Sequence, residues 1–178
     1  MAADLILNEQ VDMLVCGSSV ATIIPVADQA EANGVPFVSC DNSWQNWVGA
    51  RSKGDLTATF KWTYNAAWGI DDVVPTYVDL YNQIQSNKRI AVCLGNDALG
   101  QTWLPILKKA LPAAGLTGTF PDLYQPGTED YTALISAFKR DGCELAYGTY
   151  TAPDFANFWT QSQQQSWKPT TTSGVRQA

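Results

Sequence analysis

The sequence predicts an α/β protein built from Rossmann-like parallel sheets with flanking helices. Short apolar runs alternate along the chain with amphipathic helical patterns, which is the order of elements in a parallel α/β fold. Glycine follows two of the helical stripes, at Gly34 and Gly115, where helices commonly end. Polar residues follow several of the apolar runs, as expected where ligands bind beyond the carboxyl ends of parallel strands.

The first group of elements occupies residues 1–65 and predicts a partial first lobe. Residues 2–10, "AADLILNEQ", have a helical pattern. Three later runs predict strands, "VDMLVC" (11–16), "VPFVS" (35–39) and "TFKWTY" (59–64). Between the first two, a cap at Ser18 or Ser19 and an apolar stripe predict a helix that Gly34 ends. Residues 40–58 are polar and irregular, which predicts a loop too long for a plain connector.

The second group, residues 66–178, predicts a nearly complete second lobe. Its strands are "RIAVCL" (89–94), a weaker "GTFPDLY" (118–124) that Pro121 confines to an edge, "ELAYGTY" (144–150), and a last "TTTSG" (170–174). Helical stripes fill the intervals: from Ile70 to Ile84, from Trp103 to Ala114, from Tyr131 to Phe138 with Thr128 as cap, and after Pro153.

The composition excludes several classes of function. The chain has 178 residues, 46% of them hydrophobic, and 11 basic against 17 acidic residues for a net charge of −6. An acidic chain without a basic cluster is a poor candidate for a nucleic-acid-binding protein, because phosphate binding needs Lys and Arg. No apolar run approaches the length of a membrane span, and no secretory leader pattern opens the chain. There is no histidine, which removes Ser-His and Cys-His catalysis and the commonest metal ligand.

The four cysteines are widely spaced and form no metal-binding or redox motif. Each lies in or beside a predicted strand, where cysteine acts as a small buried hydrophobic residue. The spacing leaves a Cys16–Cys40 disulfide open if the chain matures in an oxidising compartment.

Two loops that precede helices deserve a chemical interpretation. "GNDALGQT" (95–102) lies where a phosphate-binding loop would lie, but Gln101 replaces the essential lysine, so we expect no nucleotide and no other cofactor. Its Asn96 and Asp97 either face a ligand or end a strand and cap a helix. "GSSVAT" (17–22) places two hydroxyls at a helix start, which suits a carboxylate but is also ordinary capping.

A dense group of aromatic residues surrounds the 40–58 segment: Trp44, Trp47, Trp62, Tyr64 and Trp68. These rings either form a satellite core beneath the segment or line a cleft where a ligand's apolar or cationic part packs. Four strand ends carry polar or aromatic groups, two in each group of elements. That distribution predicts a cleft between two lobes.

Several segments, in order, resemble the type I periplasmic binding proteins of the branched-chain amino acid-binding kind, the solute receptors of ABC transporters. They are "VDMLVCGSSVATIIPVADQAEANGVPFVSCDNS" (11–43), "TFKWTYNA" (59–66), "KRIAVCLGNDALGQTW" (88–103) and "GTEDYTALISAFKRDGCELAYGTY" (127–150). The resemblance covers nearly the whole chain. It implies a two-lobed type I periplasmic binding protein fold, incomplete in this chain, that binds a solute in an interlobe cleft without performing chemistry.

The resemblance also implies which residues meet the solute. By position they are Ser18 and Ser19 in the first turn, Asp41, Asn42, Ser43 and Trp44 in the second loop, Asp97 after the second-lobe strand, and Tyr150 in "GTY". Asp41 and Trp44 replace small residues common in that loop, and Leu99 replaces a frequent tyrosine. A larger, aromatic or amine-bearing solute therefore fits better than a plain aliphatic amino acid. The implied partners are a small solute and an ABC transporter permease, with the protein in the periplasm or outside the cell.

Two alternatives remain open at this point. The same fold serves as a ligand-sensing regulatory domain, which flanking segments would identify. An enzyme of flavodoxin-like architecture would need an activated nucleophile or a cofactor loop, and neither is visible. The chain also resembles an internal fragment, since "AADLILNEQ" follows Met1 directly. Exposed strand edges would then favour a homo-oligomer or a domain-exchanged dimer.

Overall fold

The computed structural model describes residues 1–17, 20–40 and 42–176 and divides the chain into two compact units, Met1–Val73 and Val74–Ala178. Each unit holds one parallel sheet with helices against it, which confirms the predicted fold class. Among the described residues, no helix has both the length and the apolar character needed to cross a membrane.

The first unit contains a three-stranded parallel sheet. Its elements in chain order are α1 (Ala2–Leu7), β1 (Leu14–Gly17), α2 (Val20–Asn33), β2 (Phe37–Cys40), α3 (Trp44–Arg51) and β3 (Thr63–Asn65), and the strand order is β1-β2-β3. The apolar stripe of α2 forms the core with Phe37 of β2 and Trp47 of α3. Gly34 ends α2 with φ of +70°, a left-handed backbone that favours glycine.

Helix α4 (Ile70–Gln83) carries the chain into the second unit, which contains a four-stranded parallel sheet. The remaining elements are β4 (Arg89–Cys93), α5 (Ala98–Ala113), β5 (Thr117–Thr119), α6 (Thr132–Arg140), β6 (Leu145–Tyr150), α7 (Ala152–Gln164) and β7 (Thr171–Arg176). The strand order is β5-β4-β6-β7. All six residues of β6 are buried, as expected for an inner strand of a parallel sheet covered on both faces.

Three sequence expectations were wrong in detail. Residues 40–58 contain helix α3, and the predicted strand 59–64 shortens to β3. The residue before α6 is Tyr131, not the predicted cap Thr128.

In the aromatic group, Trp47 is buried in the core against Phe60, whereas Tyr64 and Trp68 are exposed. The satellite-core interpretation therefore holds for Trp47.

The cysteines are free, and the sheet register explains why the first two do not pair. Strands β1 and β2 align Cys16 with Ser39 and Gly17 with Cys40. Because neighbouring side chains on a strand alternate between faces, Cys16 and Cys40 lie on opposite faces of the sheet. The Cys16–Cys40 disulfide left open by the spacing is therefore absent. Cys93 and Cys143 are buried, as expected, but Cys16 and Cys40 are only partly buried.

Arg51 at the end of α3 is a buried cation that joins three parts of the first unit. Its side chain is 2% exposed, and its Nε donates to Asp28 Oδ1 at 2.8 Å. Its Nη1 donates to Thr63 Oγ1 at 2.8 Å, and its guanidinium carbon lies 3.8 Å from the centre of the Phe60 ring. The side chain therefore ties α2, α3 and β3 together.

We expect Arg51→Met to lower the free energy of unfolding by about 2 kcal/mol, because it removes a desolvated cation–π contact and charged hydrogen bonds. Arg140→Met is the matched control, since Arg140 is 74% exposed and forms an ion pair with its chain neighbour Asp141. Its expected cost is at most about 0.5 kcal/mol. Urea unfolding followed by tryptophan fluorescence measures both, and equal losses would contradict the role given to Arg51.

Candidate functional site

Strand β6 and helix α7 meet in a tightly fixed turn at the carboxyl end of the second sheet. Thr151 follows the last strand residue, Tyr150, and caps α7 by accepting the Asp154 amide at 3.3 Å. The Thr151 hydroxyl donates in turn to Asp154 Oδ2 at 2.7 Å. Pro153 lies in the first helical turn, where its missing N–H costs nothing. The turn therefore holds the start of α7 against the strand end.

An open pocket of about 370 Å³ lies at this turn, which is the size range of small-molecule sites. It is lined by Tyr150, Thr151, Ala152, Phe155, Thr172, Ser173 and Gly174. None of these lining residues carries a charged side chain. The pocket therefore offers aromatic rings, hydroxyl-bearing side chains and backbone to a ligand.

Two glycines on paired strands shape this end of the sheet. Gly148 of β6 aligns with Gly174 of β7. A Cβ atom on Gly148 would collide with the Tyr150 ring, and one on Gly174 would collide with the Gly148 carbonyl. Glycine is therefore needed for the Tyr150 ring to lie back over its own strand and for the two strands to approach.

Of the sequence-predicted site residues that the structure describes, Tyr150 lines the pocket. It is 7% exposed, and its ring stacks on Phe158 with centroids 5.0 Å apart. Burial raises the pKa of its hydroxyl well above the usual value, and the adjacent Cys93 thiol adds to the shift. Burial also raises the pKa of Cys93 to about 12. Tyr150 thus contributes an aromatic wall, with its hydroxyl in the core.

Edge strand β7 forms another wall of the pocket and is held by two tyrosines of α4. The Tyr77 hydroxyl donates to the Gly174 carbonyl at 3.0 Å. The Tyr81 hydroxyl donates to the Ala146 carbonyl at 3.1 Å and is also hydrogen-bonded to Ser173 Oγ. Sequence reasoning placed both tyrosines on a helical stripe but gave them no role at the site. Their spacing of four residues on one helix face was the available signal.

Asp97 lies at the carboxyl end of β4 and caps α5. Its Oδ1 accepts the Gly100 amide at 2.8 Å, which is the capping alternative that the sequence left open. Neighbouring Asn96 has an exposed side chain that accepts from Gln101. Strands β4 and β6 are adjacent, and the Gly95 amide donates to Thr149 Oγ1 at 3.1 Å. Asp97 and Tyr150 therefore share one sheet edge, but Asp97 is outside the pocket lining.

In the first unit, the predicted residues Ser18, Ser19 and Asp41 lie outside the described residues. Ser43 directly precedes α3 and is 3% exposed. Its hydroxyl is buried and makes no hydrogen bond within the described part of the chain. Trp44 begins α3, is half-buried, and donates its amide to the Trp68 carbonyl at 3.2 Å.

A hydrogen-bond network that sequence reasoning missed positions the loop before Ser43. Ser39 Oγ at the end of β2 donates to Asn65 Oδ1 at 3.0 Å. Asn65 Nδ2 donates onward to the Asn42 carbonyl at 2.9 Å. The side chain of Asn65 therefore links the ends of β2 and β3 to the loop. A single asparagine after an aromatic strand gave no sequence signal for this role.

Within the described ranges, no group of three or more acidic or cysteine side chains is arranged to hold a metal ion. The arrangement at both sheet edges is one of hydrogen-bonding groups and rings.

A protein-family model described as "Periplasmic binding protein" matches residues 1–175. One curated relative, Leu/Ile/Val-binding protein homolog 3 of Brucella melitensis, is 28% identical over 156 residues, which is 85% of this chain and 39% of that protein. The chain thus spans less than half the length of this relative.

Solved structures share the fold. The leucine-binding protein LivK of Thermotoga maritima has a TM-score of 0.73 at 18% identity, covering 97% of this chain and 47% of that one. A solute-binding protein of an ABC transporter from Rhodopseudomonas palustris, solved with 4-hydroxybenzoate, has a TM-score of 0.72 at 17% identity. That match covers 97% of this chain and 45% of the other.

Proposed function

This chain belongs to the periplasmic binding protein family, and we propose that it acts in the extracytoplasmic solute-binding component of an ABC importer. The family and the fold are those of solute-binding proteins, not of enzymes. The proposed ligand is a small amino-acid-like or aromatic solute. Two proteins of similar fold, a leucine-binding protein and a solute-binding protein solved with 4-hydroxybenzoate, support both ligand types.

The observation that carries this proposal is the pocket at the start of α7. It lies at the carboxyl end of a parallel strand, where ligands bind in open α/β sheets. Its volume of about 370 Å³ and its lining of rings and hydroxyl-bearing side chains suit a small organic molecule. A lining without an activated nucleophile or a charged acid–base pair suits binding without chemistry.

In the first unit we propose that Ser43 and Trp44 contact the solute. A buried hydroxyl without a hydrogen-bond partner costs free energy unless a ligand or water satisfies it. The start of helix α3 favours negative charge, which suits a carboxylate at Ser43. The other proposed contacts are Ser18, Ser19, Asp41, Asn42 and Asp97, which rest on the sequence resemblance.

The wider setting is proposed on the same basis. The solute favours a closed arrangement of two lobes, divided near residue 65 as the sequence predicts, by contacting both. The full-length protein delivers the solute to a transporter permease from the periplasm or the cell exterior. Exposed edge strands of this chain favour a homo-oligomer or a domain-exchanged dimer.

A thermal-shift screen of amino acids, aromatic acids and small amines tests the binding proposal, with tryptophan fluorescence as the second readout. We expect at least one stabilising solute. Ser43→Ala is expected to weaken its binding about tenfold, the cost of one hydrogen bond to a charged group. Trp44→Ala and Asp41→Ala should weaken binding as well.

Ser52→Ala is the matched control, because Ser52 lies at the other end of the same helix and bonds to the Val48 carbonyl. It should change the affinity less than about twofold while lowering stability slightly. A screen without any stabilising solute would contradict the proposal. Equal effects of Ser43→Ala and Ser52→Ala would remove Ser43 from the site.

A further inference from the structure

We infer that the pocket of the second unit selects a planar aromatic ring, and that Phe155 is the residue that selects it. The inference rests on the proposed function and narrows its ligand class. Phe155 lies in the first turn of α7, lines the pocket and is 39% exposed. A ring of that size left open to water in a pocket is a surface that a flat ligand covers favourably.

Neighbouring rings fix Phe155 in place. Trp159, one helical turn further along α7, stacks on it with centroids 6.1 Å apart and planes 24° apart. Tyr150 packs against it at 5.4 Å with a tilt of 59°. Tyr150 is itself held by Phe158 in the core. The Phe155 ring is therefore a supported platform, which lowers the entropy lost on stacking.

The residues that line the pocket offer no negative charge to pair with an ammonium group of a ligand. The carboxylate nearest in sequence, Asp154, is 1% exposed and accepts hydrogen bonds from the Gly127 amide and the Tyr131 and Thr151 hydroxyls. The Asp154 carboxylate is therefore buried and already hydrogen-bonded within the protein. The lining residues themselves carry no carboxylate, so an ammonium group placed in the pocket would lose water without gaining a counter-ion.

Two of the four lining hydroxyls bond to the protein, and the other two, on Tyr150 and Thr172, are buried without a hydrogen-bond partner in the described part of the chain. The Thr151 hydroxyl bonds to Asp154, and Ser173 Oγ bonds to Tyr81. Gly174, another lining residue, has no side chain that could bond to a ligand. The surface left for a ligand is therefore mainly apolar, with Phe155 on the α7 side and residues 172–174 of β7 as another wall. A flat, uncharged ring matches this surface, and the charged end of the solute lies outside it.

Calorimetric titration with benzoate, cyclohexanecarboxylate and leucine tests the inference. The first two share a carboxylate and a six-membered carbon ring, but only benzoate is planar and aromatic. The unsubstituted chain should bind benzoate at least about fivefold more tightly than cyclohexanecarboxylate, from the usual strength of ring stacking. Phe155→Leu should bring the ratio close to one, and Phe155→Tyr should restore it.

Tyr64→Leu is the control, because it removes an exposed aromatic ring that belongs to the first unit and is outside the pocket lining. It should leave the benzoate preference within about twofold. Thermal melting of each variant separates affinity from folding, and Phe155→Tyr supplies a folded variant if Phe155→Leu unfolds.

The outcomes separate the two proposals. Binding of leucine without binding of either ring acid would overturn the inference and leave the solute-receptor function standing. Equal affinity for the two ring acids, or a benzoate preference that survives Phe155→Leu, would also overturn it. Failure of every compound here and in the wider solute screen would overturn both.

Discussion

Raising the pH above about 10 is expected to unfold the second unit cooperatively, because five tyrosines buried there ionise in that range only when unfolding exposes them. They are Tyr81, Tyr124, Tyr131, Tyr147 and Tyr150, none more than 7% exposed. Burial is the first cause of a raised pKa in each of them. The folded unit therefore holds these protons more tightly than the unfolded chain does.

The direction and the size of this change in stability with pH follow from proton linkage. Groups with a raised pKa contribute their full stability below the ordinary tyrosine pKa of about 10, and that contribution is lost as the pH rises. Each group costs about 1.4 kcal/mol per pH unit, so five together cost about 7 kcal/mol one unit higher. That is comparable with the whole stability of a domain, about 5–15 kcal/mol. Burial raises the pKa of Cys93 to about 12. Cys93 therefore adds to this loss of stability once the pH exceeds the ordinary pKa of a thiol.

Circular dichroism and tyrosinate absorbance, followed together from about pH 8 to about pH 12, measure this transition. We expect ionisation and loss of structure to coincide. Tyr150→Phe should move the midpoint upward, because it removes one buried ionisable group. Tyr64→Phe, at a tyrosine that is 57% exposed in the first unit, should leave the midpoint unchanged. Ionisation of the buried tyrosines near pH 10 with the structure intact would contradict the prediction.

The sequence predicted the second unit better than the first, for a physical reason. Strands β4 and β6 are mainly apolar and almost entirely buried, as expected for strands covered on both faces, and helices α5 and α7 have clear caps at Asp97 and Thr151. Helix α3 was missed because it spans only eight residues and has no apolar stripe, with Trp47 as its buried residue. Arg51 also obscured the buried face of α3, since a charged residue in a sequence is expected to be exposed, whereas Arg51 packs against the Phe60 ring.

The candidate site was predictable where it depended on strand ends and not where it depended on packing. Tyr150 was predicted because parallel strands present their carboxyl ends at one edge and because the family resemblance placed it in "GTY". Phe155 looked like one more apolar residue of α7, and periodicity did not separate it from Phe158, which is fully buried. The roles of Asn65 and Asp154 come from hydrogen bonds between residues more than 20 positions apart, which no local pattern encodes.

Replacing Asp154 with alanine is expected to lower the free energy of unfolding by about 3 kcal/mol, since buried donors would lose their acceptor. Asp154 Oδ1 accepts the Gly127 amide at 2.8 Å and the Tyr131 hydroxyl at 3.2 Å, while Oδ2 accepts the Thr151 hydroxyl at 2.7 Å. These bonds join the loop before α6 to the start of α7. Their loss should also loosen Thr151 in the pocket wall and weaken solute binding.

Asp154→Asn separates the two halves of this network. Asparagine keeps one oxygen for Gly127 and Tyr131 but presents an amide to Thr151, so we expect a smaller loss of about 1–2 kcal/mol. Asp122→Ala, at an exposed aspartate of the same unit, is the control and should cost at most about 0.5 kcal/mol. Urea unfolding gives the stabilities, and titration with the solute found by screening gives the affinities. An Asp154→Ala variant as stable as the control would show that the buried carboxylate does not hold α7 in place, and an unchanged solute affinity would separate the network from the pocket.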